Sequence, residues 1–139
     1  MKVAVHGKAV QIWYDYGPLL TGKPSAPLGM KRVKIDCEKL HDWDSFHDIF
    51  SDKFGFPDFY GRNMGAWMDC MSYLDDPNSG MTKITCDKGE YILLELQNIQ
   101  KFRKKYPDLY EAIIECSAFV NWRSLENGQF PLLMLSFYK

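Results

Sequence analysis

The chain has 139 residues, 46% of them apolar and 25% charged, a length and balance that suit one globular domain and exclude a disordered one. A chain of this size buries about 68% of the surface it exposes when unfolded, so a core forms without staples. The net charge of −1 supplies no overall field for a phosphate backbone, which argues against a general nucleic-acid binder.

The first residues, KVAVHGKAVQIWY, can form a small hairpin around His6–Gly7. They lack the continuous apolar run and cleavage site of a secretory leader, and no stretch of 18 apolar residues occurs, so no membrane span is expected. The expected compartment is the cytoplasm. Pro18, Gly22, Pro24, Pro27 and Gly29 mark a loop or linker. Residues 1–31 are therefore expected to be an extension and linker, with the domain proper at 32–139.

From residue 32 the pattern turns regular. RVKID alternates as a strand with Val33 and Ile35 on one face. Asp42 and Asp44 are both candidate N-caps, because their carboxylates can accept from the free amides of a first turn. Trp43, Phe46, Phe50 and Phe54 then recur at helical spacing, and Gly55 and Pro57 end that helix. A second helix is expected from Asn63 to Tyr73, with Met64, Trp67 and Met71 as its inward stripe and Gly65, Met68 and Asp69 on another face. DDPNSG breaks the chain, and KITC can make a short strand.

YILLEL is a near-continuous apolar run, the pattern of a strand covered on both faces. NIQKFRKKY reads as a short helix. Pro107 suits the first turn of another helix, with Leu109, Ala112, Ile113 and Cys116 as its apolar face. Asn127–Gly128 turns the chain into FPLLMLSFY, a last strand with Pro131 near its start. Strands separated by helices imply a parallel α/β sheet. Cys37, Cys70, Cys86 and Cys116 show no C-x-x-C spacing, so four free thiols that pack as small apolar groups are expected.

The run FPDFYGRNMGAWMDCM, in this order of strands and helices, resembles the barstar family of ribonuclease inhibitors. Pro57, Tyr60, Gly61, Asn63, Ala66, Asp69 and Cys70 fall on the family's pattern without a gap. The likeness runs from about Val33 to the C-terminus and requires insertions around residues 75–90 and before Gly128. It implies a barstar-like fold, a three-stranded parallel sheet packed with helices. It also implies a protein partner, a ribonuclease or related toxin, whose active site is plugged by the second helix and its preceding loop.

On that resemblance Asp69 matches the family's central carboxylate, which sits where the substrate phosphate would lie. A nuclease site offers Arg, Lys and His to a phosphate, and a carboxylate can take the same charge-assisted hydrogen bonds. Asp69 has no basic residue four positions away, and the resemblance supplies its partner from another protein. Phe59 matches an aromatic contact, and Tyr60, Gly61, Arg62, Gly65 and Met68 are the further expected partner contacts of this face. Of the adjacent Phe59 and Tyr60 one is expected to be presented and the other to pack inside, Phe59 being the first choice for the outward one, and Gly61 sits at the hinge. Glu115 is the expected acidic contact on the last helix. Three positions depart from the archetype: Gly65 replaces a second interface aspartate, Arg62 an acid and Met68 an aromatic. A glycine inside a helix costs about 1 kcal/mol against alanine, so Gly65 suits close approach by a partner backbone.

HDWDSFHD holds residue types that bind metal, but helix caps and solvated polar residues explain it more simply. KFRKK is read as a solvated helix face suited to a helix C-terminus rather than an RNA contact. No phosphate loop, nucleophile elbow or nucleophile–base pair occurs. The expectation is thus a protein that is not an enzyme and uses no cofactor or metal, with no direct nucleic-acid or membrane contact. The alternative is a module of the same fold that binds a non-nuclease partner, which Gly65 and Arg62 keep open.

Overall fold

The computed structural model describes residues 2–6, 9–13 and 29–138, the first two stretches by backbone alone. The strands are β1 (Lys2–His6), β2 (Ala9–Trp13), β3 (Met30–Asp36), β4 (Tyr91–Gln97) and β5 (Leu133–Tyr138). The helices are α1 (Trp43–Phe54), α2 (Met64–Met71), α3 (Ile99–Lys105) and α4 (Pro107–Glu126). One sheet runs in the order β1-β2-β5-β4-β3. Its β3, β4 and β5 are mutually parallel, the expected three-stranded core. The N-terminal strands form an antiparallel pair, His6 opposite Ala9, and β2 joins β5 antiparallel, so the extension continues the sheet. The expected turn residue Gly7 and most of the expected linker, residues 14–28, lie outside the described residues.

In central β4, Ile92, Leu94 and Leu96 are buried on one face, and Leu93 is buried on the other between half-buried Tyr91 and Glu95. In β3, Val33 and Ile35 point inward and alternate with exposed Arg32 and Lys34, as a strand with one solvated face requires. Asp42 caps α1. The Ser45 amide donates to Asp42 Oδ1 (2.7 Å), and the Asp42 amide donates to Ser45 Oγ (3.1 Å). Phe46, Phe50 and Phe54 are fully buried along this helix. Gly55 ends it at φ 66°, and a Cβ there would come within 2.6 Å of the Lys83 side chain, so both backbone and packing require glycine.

The expected KITC strand is absent, and residues 83–86 are loop. Their amides are used elsewhere: Lys83 N donates to Phe54 O and Cys86 N to Leu74 O, each at 2.8 Å. These bonds tie the insertion to the ends of α1 and α2, and no sheet partner is needed.

The buried stripe of α4 differs from the expected one. Leu109 and Ile113 lie on it, but Ala112 and Cys116 sit at its half-buried margin, and Ser117, Asn121 and Ser124 continue it. Asn121 is fully buried, and its side-chain amide makes three hydrogen bonds. Its Oδ1 accepts from the amides of Leu132 and Leu133 (2.9 Å each), and its Nδ2 donates to Leu133 O (2.8 Å). Ser124 Oγ donates to Phe130 O (2.6 Å), so polar side chains fasten the start of β5 to α4. Ser117 Oγ is buried with no hydrogen-bond partner among the described residues. Ser117→Ala removes an unsatisfied hydroxyl and raises helix propensity, so we expect a gain of about 0.5–1 kcal/mol in a denaturant titration.

Candidate protein-interaction site

The Tyr60 amide donates to Pro57 O (2.9 Å), closing a turn in which neighbouring side chains diverge. Phe59 points out and is 76% exposed. Tyr60 turns in, its ring 4.7 Å from that of Phe56 and its hydroxyl 2.6 Å from His47 Nδ1. The expected division of these two aromatics therefore holds. His47 does not behave as the solvated residue expected of its motif, because it is buried beneath the loop. The other polar groups of that motif serve locally: Asp42 caps α1, while Asp44 and Asp48 bind Arg62.

Burial pulls the His47 pKa below its usual 6.5, the Arg62 charge adds to this, and Asp44 and Asp48 oppose it. Burial likewise pushes the Tyr60 phenol up. His47 Nδ1 and the Tyr60 hydroxyl share this hydrogen bond, in which a neutral imidazole accepts when its proton is on Nε2 and donates when it is on Nδ1. A depressed histidine pKa means that the unfolded chain binds the proton first as pH falls. The His47 contribution is thus fully present above about pH 6.5 and is lost as pH drops from there through the folded pKa. We expect the melting midpoint to fall across that window, and His47→Gln to flatten this part of the profile. An unchanged profile would exclude His47 as its source.

Arg62 adopts φ 53°, a left-handed conformation that costs a non-glycine residue about 1–2 kcal/mol. Its guanidinium is drawn back over α1, with Nη1 2.7 Å from Asp48 Oδ1 and Nη2 3.2 Å from Asp44 O. This expected contact residue is therefore already paired within the chain. At Gly61 a Cβ would come within 3.2 Å of Asn63 Nδ2 and 3.5 Å of Ala66 Cβ, so the hinge packs against the start of α2. Asn63 caps that helix, accepting from the Ala66 amide at 2.8 Å. A Cβ on Gly65 would meet only Asn63 Oδ1, at 3.2 Å, and otherwise open space.

Trp67, Cys70 and Met71 face the core, Gly65 and Asp69 face solvent, and Met68 is half-buried at the boundary. The Asp69 side chain is 60% exposed and its partner is not on its own helix, as the spacing implies, but neither does it wait for another protein. Arg123 Nη1, from α4, donates to Asp69 Oδ1 at 3.0 Å and to Ser72 Oγ at 3.3 Å. The guanidinium also lies 4.7 Å from the centre of the Phe119 ring, and Phe119 stands 5.9 Å from Trp122. Phe119, Trp122 and Tyr73 are exposed large apolar groups. Glu115 is exposed on the same helix, eight residues before Arg123, about 12 Å along the axis.

Sequence reasoning missed Arg123, Phe119 and Trp122. Their i, i+3, i+4 spacing was a usable signal for one exposed helix face. That this face borders Asp69 follows only from the packing of α4 on α2. The thiols are poor nucleophiles. Burial pushes Cys37 up to about 12 and Cys70 and Cys86 up to about 11, the Asp69 charge adding at Cys70. All four cysteines are unbridged. Among the described residues no group of three or more His, Cys, Asp or Glu is placed to hold a metal, and no helix is long and apolar enough to cross a membrane.

A family model described as Barstar (barnase inhibitor) matches residues 30–133. The chain is also similar to the "Putative ribonuclease inhibitor YrdF" of Bacillus subtilis (strain 168), with 32% identity over 91 residues, 62% of this chain and 100% of that protein.

Proposed function

This chain belongs to the barstar family, and on that footing we propose that it inhibits a ribonuclease, as an immunity-type protein that neutralises a nuclease toxin in the cytoplasm of its producer. The observation that carries the reading is the exposed Asp69 carboxylate on the outer face of α2, preceded by a loop that presents Phe59. The inhibitor acts by occlusion. Asp69 takes the hydrogen bonds that the nuclease gives to a substrate phosphate, while Phe59, Gly65 and Met68 fill the surrounding surface. Tyr60 and Gly61 hold the loop, and Glu115 adds an acid at the rim. Nothing in this role calls for a cofactor, a metal or direct contact with RNA. Four unbridged thiols suit a reducing compartment.

The test is a titration of the purified protein into RNA-cleavage assays with barnase and with any small basic nuclease encoded beside its gene. The activity of at least one of these nucleases should fall to zero at one equivalent of inhibitor. The pairing of Asp69 with Arg123 favours a second reading, a module of this fold that binds a non-nuclease protein. Absence of inhibition in every such assay, with one non-nuclease protein recovered stoichiometrically by pull-down, would establish that reading instead.

A further inference from the structure

We propose that Arg123 sets partner choice at this face. It turns the Asp69 carboxylate into one half of an ion pair, so the surface selects a partner that brings an acceptor beside its cation and disfavours a pocket built of cations alone. This rests on the reading of Asp69 as the central contact.

Arg123 is held from three sides. Asp69 Oδ1 and Ser72 Oγ accept from its Nη1 at 3.0 and 3.3 Å, and the Phe119 ring lies 4.7 Å beneath its guanidinium. Ser72 Oγ can accept because its own hydrogen goes to Met68 O at 2.6 Å. A guanidinium stays charged at any working pH. It therefore remains a fixed positive charge next to the carboxylate and does not swing away without losing all three contacts.

A partner cation that reaches Asp69 must come within a few ångströms of Arg123. Once the interface excludes water, screening weakens and that repulsion grows. Displacing Arg123 instead would strip a guanidinium of its carboxylate. A partner carboxylate or carbonyl beside the cation removes the conflict, because the hydrogen-bonded charges then alternate across the interface. The guanidinium has five donors, and the bonds to Asp69 and Ser72 use Nη1 alone, so donors remain for such an acceptor. Exposed Phe119 and Trp122 flank the pair and extend the surface from α2 onto α4, where they can seal it from water. Arg62 is bound by Asp44 and Asp48 on α1, and Lys88, which lines the same depression as Arg123, is bound by Asp75, so neither is offered the Asp69 carboxylate.

The experiment measures the affinity of barnase, used as a basic probe nuclease, for the parent, Arg123→Gln, Arg123→Ala and the double variant Asp69→Ala with Arg123→Gln. The glutamine keeps part of the stem over Phe119, and melting curves confirm that each variant is folded. Both single variants should bind at least tenfold more tightly than the parent, and the double variant should lose that gain. Single variants that bind no tighter than the parent, including the case in which no complex forms with any of them, would overturn the role of Arg123. Single variants that tighten, with a double variant that stays as tight, would leave Arg123 as the selective charge and remove Asp69 as the central contact.

Discussion

Asp69→Ala should keep the melting curve of the parent and lose at least about 2 kcal/mol of binding to the inhibited nuclease, roughly thirtyfold in Kd. That general hot-spot threshold rests in part on measurements in this same family. Without the carboxylate, the cations of the nuclease site would be buried unpaired, and Arg123 would face them as an uncompensated like charge. The folded monomer has far less at stake. The Asp69 side chain is 60% exposed and its ion pair lies at the surface, where such pairs contribute about 0–1 kcal/mol. Arg123 also keeps Ser72 and Phe119. Paired inhibition and melting measurements separate the two effects. A variant that unfolds, or that inhibits as well as the parent, would reduce Asp69 to a structural residue.

Trp67→Ala should cost about 3–5 kcal/mol of folding stability, the usual range for truncating a buried aromatic. Trp67 is fully buried, and its ring meets Phe50 edge-on at 5.6 Å. Helix α2 has only eight residues, too short to stand by itself, so the apolar contacts of Trp67 and Met71 hold it in place. Domains of this size are stable by about 5–15 kcal/mol, so the loss is a large fraction of the total. Urea titration should show a lower midpoint with an unchanged slope. At low temperature the remaining folded fraction should still inhibit, because the Asp69 carboxylate is not altered. A loss below about 1 kcal/mol would mean that α2 is anchored by other contacts.

The contrast between these two residues shows how far local pattern reaches. Trp67 was legible as core because it lies between Met64 and Met71 at helical spacing, and burial of such a stripe depends on little else. Asp69 was legible as outward for the same reason. What the pattern could not show was its neighbour, since Arg123 is 54 residues away and meets it only through the packing of α4 on α2. His47 is the opposite case. It stands between Phe46 and Asp48 at the edge of the apolar stripe of α1, and the loop carrying Tyr60 folds over it and buries it.

Local pattern sufficed for the three parallel strands, the C-terminal end of α1 with its glycine stop at Gly55, and the inward placement of Trp67 and Met71 on α2. It left Asp42 and Asp44 open as the α1 cap and did not single out Asn63 as the cap of α2. The features it reached depend on side-chain period and on backbone groups within a few residues, so local chemistry decides them. Packing between distant segments settled that KITC stays a loop, that Asn121 fastens β5 to α4, and that the Asp69 carboxylate already holds a cation. Each of these is a hydrogen bond or ion pair between groups distant along the chain. Such a bond exists only where the fold brings donor and acceptor within about 3 Å, and periodicity along one segment carries no record of that distance.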